Sequence, residues 1–254
     1  MEYELNLLMI VVLLIAGLVG GFINTLAGGG SMLTLPALMM VGMPADIANA
    51  SNRVGVLLQS VAGARGFHMA GRLDAPAIGP VLIPTLAGAL VGALAASYLP
   101  VWLLKPILLS TMVVMALIML IRPNVVVPPE GTPAYPLRER PGAAIGLFLA
   151  GLYGGFVQAG VGFILIAALA GGLRYDLVRT NALKMVCTAA FSVVALAIFI
   201  ARDQVLWIPG LVVAAGTIAG ALLSVRFAIN VSQTTLKWIL FVMVVLTCGA
   251  AYFS

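Results

Sequence analysis

Eight stretches of about 20 apolar residues constrain this chain more than any other feature: roughly 5–27, 47–66, 76–98, 101–121, 142–160, 177–201, 206–228 and 232–253. That length of helix is what crosses the hydrocarbon of a bilayer. Composition leaves no other solvent. Of 254 residues 63% are hydrophobic and 8% charged, with a mean hydropathy of +1.17, whereas a soluble domain carries about 25% charge. A water-soluble core could not hide so much apolar surface. The expected class is an all-α polytopic membrane protein.

The opening "MEYELN" carries Glu2 and Glu4 but no basic residue, so the first span does not read as a cleaved secretory signal. Cys187 and Cys248 both fall inside apolar runs and read as small packing residues rather than a disulfide. The net charge of +5 is scattered at segment ends, as membrane orientation requires, so nucleic acid is not an expected partner.

Two shorter apolar pieces, about 31–42 and 162–172, each follow a glycine cluster. Between the halves lies "RPNVVVPPEGTPAYPLRERP", residues 122–141, with six prolines and five charges. It reads as an exposed, non-helical linker. The flanking halves resemble one another. "GLVGGFINTLAGGGSML" (17–33) matches "GLYGGFVQAGVGFIL" (151–165) with a two-residue gap, "ASNR" (50–53) matches "RTNALK" (179–184), and "LLKPIL" (103–108) matches "TLKWIL" (235–240). The expected organisation is a first membrane repeat over 1–121, a cytoplasmic linker over 122–141 and a second repeat over 142–254.

Orientation follows from the basic residues. With both termini outside and each short piece completing a crossing, Arg65, Arg72, Arg122, Arg138, Arg140, Arg174 and Arg226 face the cytoplasm, and only Arg202 falls in an outside turn. Each half then has five crossings, four full helices and one short discontinuous helix. An odd number makes the repeats inverted, a common plan of secondary transporters. Trp102, Trp207, Trp238, Tyr98 and Tyr252 sit near span ends, as interfacial rings do.

The glycine clusters interrupt helices where irregular backbone is tolerated only if buried in protein or lining a polar cavity. A 12-residue helix covers about 18 Å, well short of a core of about 30 Å. Breaks at Gly28–Ser31 and Gly160–Gly162 therefore lie within the membrane and expose the positive N-termini of the short helices. Gly28, Gly29 and Gly30 let backbone approach a ligand, and Ser31 can cap or donate. Close helix packing is the competing use of such glycines. Asn24, Asn52, Gln59, Gln158 and Asn181 are costly against lipid and are expected to face the interior. Arg53 and Lys184 are candidate counter-charges for an anion, with snorkelling to an interface as the alternative. Lys105 and Lys237, nearer span ends, read as snorkelling. Asp46 and Asp176 precede spans and read as N-caps. Asp74 and Asp203 lie in turns, which leaves no carboxylate deep in a span for a proton relay or sodium cage.

"GGFINTLAGGGSMLTLPAL" followed by "ANASNRVGVLLQS", and "GGFVQAGVGF" followed by "RTNALKMV", resemble the sulfite exporter TauE/SafE family over nearly the whole chain. The resemblance implies a permease of the bacterial inner membrane for sulfur-containing anions such as sulfite, sulfoacetate or thiosulfate. By motif match it implies binding roles for Asn24, Gly28, Gly29, Gly30, Ser31, Asn52 and Arg53, and for Gln158, Gly160, Gly162, Asn181 and Lys184. "GVGF" replaces "GGGS" in the second half, so Ser31 has no counterpart.

An intramembrane serine protease is the rival from another class. Ser31 could serve as nucleophile, but the only histidine, His68, sits near a span end beside Arg65 and Arg72, far from where a base is needed. An anion channel shares the polar lining and stands as the alternative to a carrier. No metal cluster or cofactor motif is expected.

Overall fold

A computed structural model of the chain describes residues 5–121, 128–129 and 131–231. Among them the fold is all helix: α1 (Leu7–Leu26), α2 (Ser31–Met40), α3 (Ala45–Met69), α4 (Ala75–Tyr98), α5 (Val101–Ile121), α6 (Pro141–Phe156), α7 (Val161–Ile166), α8 (Leu177–Ala201) and α9 (Trp207–Asn230). The matched segment 235–240, with Lys237, Trp238, Cys248 and Tyr252, lies outside the described residues.

Local chemistry explains several ends. The Asn6 side chain accepts from the Met9 amide at 2.9 Å and caps α1. Asp176 caps α8 as expected, accepting from the Arg179 amide at 3.0 Å. Asp46 does not cap α3; Pro44 takes that place and Asp46 falls in the first turn. The apolar run 142–160 yields a shorter helix than expected, because Gln158 adopts a left-handed backbone (φ 70°) beyond Phe156. The second short piece begins as α7 and continues as a π-helix over Ala167–Gly172.

Both short pieces double back. A Cβ on Gly20 of α1 would lie 2.8 Å from the Thr34 methyl and 3.0 Å from the Gly30 carbonyl, so α2 returns along α1. The π-helix returns along α6 in the same way, with Ala168 against Gly146 and Ala143 against Gly172. Each half thus opens with a helical hairpin.

The hairpins pack across the halves. A Cβ at Gly17 or Gly21 of α1 would strike the backbone of Val213 or Thr217 on α9, at 2.7 and 2.2 Å. At Gly151 or Gly155 of α6 it would strike Thr85 or Ala89 on α4, at 2.0 and 2.3 Å. Small residues at four-residue spacing let these backbones touch, the usual solution where lipid supplies no hydrophobic drive between helices. Segments matched in sequence therefore each pair with a helix of the opposite half.

Four of the described helices, α1, α4, α8 and α9, are long and apolar enough to cross a membrane. At 25 residues α3 is as long as α8, but its Asn, Gln, Ser and charged residues lower its hydropathy, and it lies buried against α8 and α9. Large apolar side chains face outward instead, among them Leu7, Ile83, Trp102 and Ile208.

The linker is not wholly free. Its Tyr135 amide donates to the Leu173 carbonyl at 2.9 Å, and Leu137–Glu139 form a 3-10 turn. The linker thereby joins the turn that leads into α8, whose Tyr175 hydroxyl donates to Asp74 at 3.0 Å. At the C-terminal ends of α4 and α8, Arg202 lies over the Tyr98 ring at 4.5 Å.

Candidate functional site

The two hairpin tips touch. Gly28 has φ +91°, and a Cβ there would stand 2.2 Å from the Cα of Gly162, so only glycine fits by conformation and by space. The Gly162 amide donates to the Gly28 carbonyl at 3.3 Å. Beside this contact the Gln158 side-chain amide donates to the Ser31 hydroxyl at 2.9 Å, both residues being buried. Ser31 has no counterpart in the second half, yet it finds its partner there.

Behind each tip stands a buried cation from the other half. Arg53 on α3 donates through Nη1 to the Gly154 carbonyl and through Nη2 to those of Gly155 (2.9 Å) and Phe156 (3.3 Å). These are the last carbonyls of α6, which the broken helix leaves without partners. Lys184 on α8 donates to the Thr25 carbonyl at the end of α1 and to Asn181 Oδ1, each at 2.8 Å. A cation at a helix C-terminus offsets the negative end of its dipole. Neither side chain snorkels: both are fully buried. Lys105, by contrast, is exposed.

The N-terminal ends differ. At the first tip the amides of Gly29, Gly30 and Ser31 have no acceptor among the described residues, and α2 has neither a side-chain cap nor an acid in its first turn. At the second tip the amides of Gln158, Val161 and Gly162 are used, by the carbonyls of Tyr153, Gln158 and Gly28, and those of Ala159 and Gly160 have no acceptor among the described residues. Three unpaired amides at the head of a 10-residue helix form a cradle of positive potential. The buried Thr34 Oγ1, one turn into α2, and Gln158 Oε1, at the facing tip, also lack partners.

Of the residues expected to act together, Gly28, Ser31, Gln158 and Gly162 meet directly. Gly29 and Gly30 complete the first tip, Gly160 heads α7, and Arg53, Asn181 and Lys184 brace the tips from behind. Asn24 is buried beside Gly30 on α1. Asn52 is buried with its Oδ1 unpaired, and no hydrogen bond ties it to either tip.

Two residues escaped the sequence reading. Asn49 donates to the Phe156 carbonyl at 3.0 Å, and the Tyr153 hydroxyl donates to that of Ala159 at 2.7 Å. Asn49 had a signal, since it lies one helical turn before Arg53 on the same face.

Known proteins resemble this chain in sequence. The model of a family described as sulfite exporter TauE/SafE matches residues 13–251. A probable membrane transporter protein of Haemophilus influenzae is 26% identical over 240 residues, covering 94% of this chain and 93% of its own. The probable membrane transporter protein YfcA of Escherichia coli is 27% identical over 230 residues, covering 91% of this chain and 84% of its own. A probable membrane transporter protein, ORF9, of a Sinorhizobium species is 26% identical over 235 residues, covering 91% of this chain and 87% of its own. No solved structure matches.

Proposed function

The chain belongs to the sulfite exporter TauE/SafE family of multi-pass membrane transporters, and from that membership we propose that it is a secondary transporter for a small sulfur-containing anion such as sulfite, sulfoacetate or thiosulfate. The observation that carries the anion reading is the cradle of free Gly29, Gly30 and Ser31 amides, whose field is not cancelled by the carboxyl end of α1 because Lys184 caps that end. The two fixed cations add positive charge, and no described Asp or Glu lies among the buried residues of the tips. Asn24, Gly28, Gly29, Gly30, Ser31, Asn52, Gln158, Gly160 and Gly162 form the proposed binding surface. Arg53, Asn181 and Lys184 supply its charge from behind.

The proposed setting is the bacterial inner membrane. Residues 1–121 and 142–254 are read as inverted repeats joined by a cytoplasmic linker over 122–141, with both ends of the chain periplasmic. The exchanged pairing of α1 with α9 and of α6 with α4 supports this plan. Single cysteines introduced at the exposed positions 44 and 138 test it, since they should label from opposite sides of the membrane; labelling from one side sinks the inverted arrangement.

Transport itself is tested by flux into proteoliposomes across sulfur oxyanions, sulfonates and chloride. Saturable sulfur-anion flux with counter-exchange is expected. Equal chloride and sulfite flux would mean a channel, and absence of any anion flux would end the reading.

A further inference from the structure

On the linker side of the molecule, two guanidiniums converge on one half-buried ring. Arg140 lies over Tyr135 at 4.2 Å and Arg174 at 5.6 Å, with Arg174 Nη1 donating to the Tyr135 hydroxyl at 3.2 Å. Among the described residues no ion pair joins either guanidinium to a carboxylate. Asp176 pairs with Arg179 at 2.5 Å, Asp74 accepts from Tyr175, and Glu139, beside Arg140 in the chain, pairs with neither guanidinium. The Arg174 bond, and then Arg140, hold the Tyr135 phenol below its ordinary pKa. Two like charges held against one phenol favour an anion beside them.

Tyr135 is also one wall of an open cavity of about 320 Å³ between the linker and α4. Its other walls include Pro76, Pro80 and Val81 of α4, with Leu137 and Leu173 facing them. Pro76 and Pro80 continue outward into an exposed stripe of α4 through Ile83, Ala87, Leu90 and Leu94. That spacing keeps one helix face toward lipid. A charged clasp, a cavity that Asp74 and Arg179 line beside its apolar walls, and a lipid-facing track thus share one edge of the fold.

We propose that this edge binds an anionic phospholipid, its headgroup phosphate held between Arg140 and Arg174 over Tyr135 and its acyl chain laid along α4. Guanidinium forks match phosphate oxygens, and the apolar track selects an amphiphile over a free ion. Because the linker is bonded to the turn that leads into α8, the lipid would also hold that turn in place.

The test uses the full-length protein in detergent, titrated with phosphatidylglycerol, phosphatidylcholine or inorganic phosphate and followed by native mass spectrometry and thermal stabilisation. Phosphatidylglycerol should bind and stabilise. Arg140→Gln and Arg174→Gln should each weaken that binding by about fivefold, while Arg202→Gln, at the opposite end, leaves it unchanged. Each variant is first checked for monodispersity, and both positions are exposed, so misfolding is separable from lost binding. Equal binding of phosphatidylcholine, or unchanged binding in the double variant, overturns the proposal. So does inorganic phosphate binding as tightly as the lipid, which would make the clasp a site for a soluble anion.

Discussion

The tips of the two hairpins begin from matching sequence and end as different devices. At the first, α1 runs on through Asn24 to Leu26, and the turn is made of Ala27, Gly28, Gly29 and Gly30. At the second, α6 stops at Phe156, one helical turn earlier in the alignment, and the turn contains Gln158 in a left-handed conformation. The first tip leaves the amides of Gly29, Gly30 and Ser31 free and is braced by Lys184 on a single α1 carbonyl. The second uses the amides of Gln158, Val161 and Gly162, leaves those of Ala159 and Gly160 free, and has its carbonyls held by Arg53, Asn49 and Tyr153. A left-handed non-glycine residue costs roughly 1–3 kcal/mol and persists only where surroundings over-determine it; these clamps are such surroundings. One tip is built to receive, the other to hold.

The largest effect should come where the tips touch. Gly28→Ala adds a methyl 2.2 Å from backbone that cannot retreat, at a φ of +91°. The left-handed conformation alone costs about 1–2 kcal/mol for an L residue. Loss of monodisperse protein is expected on size-exclusion chromatography. A well-folded Gly28→Ala protein with normal flux would mean the tips do not meet.

Gly29→Leu separates receiving from holding. A Cβ at Gly29 first meets the edge of the Phe163 ring at 3.3 Å, a side chain able to give way, and no left-handed backbone forbids it. The protein should insert and fold, while the new side chain screens the three free amides. Transport should fall at least about tenfold, the scale of one lost charge-assisted bond. Normal flux in a well-expressed variant would reduce the glycines to packing residues.

How much of this was legible in the sequence depends on range. The apolar runs marked the long helices to within a few residues, because lipid imposes length and polarity directly. The breaks were legible for the same reason: three glycines have no place inside a spanning helix. The early end of α6 was not, since nothing in "GGFVQAG" announces a glutamine in glycine's conformation. Arg53 and Lys184 announced themselves as buried charge, but the carbonyls they hold lie 101 to 159 residues away. Spacing along a chain says nothing about such partners. Asn49 was hidden by Asn52, an equally polar neighbour in "ANASNR" whose carbonyl oxygen finds no partner.

The two cations sharpen the comparison. Arg53→Gln leaves two buried α6 carbonyls, those of Gly154 and Gly155, without a donor, at roughly 1–3 kcal/mol for each, while that of Phe156 keeps Asn49. Lys184→Gln releases one. Arg53→Gln should therefore cause the larger drop in Tm. Lys184→Gln should cause the larger rise in transport KM, about tenfold, because its charge keeps the α1 end from cancelling the cradle's field. Lys184→Arg should recover part of that affinity. Equal effects of Arg53→Gln and Lys184→Gln on both quantities would erase the division of labour between the tips.

Tyr153→Phe is the smallest and cleanest probe of the holding tip. It removes one hydroxyl, whose 2.7 Å bond to the Ala159 carbonyl spans the turn that carries Gln158. The ring keeps its place between the two core clusters it packs against, so no cavity opens. What goes is one neutral hydrogen bond, with a carbonyl left unpaired in a buried turn, and the expected cost is about 1 kcal/mol. A fall in Tm should be measurable. Transport KM should stay within about twofold, since the amides at Gly29, Gly30 and Ser31 are untouched. A KM shift as large as that of Lys184→Gln would show instead that the second tip also meets the anion, and that its clamps set the geometry of binding rather than the rigidity of the fold.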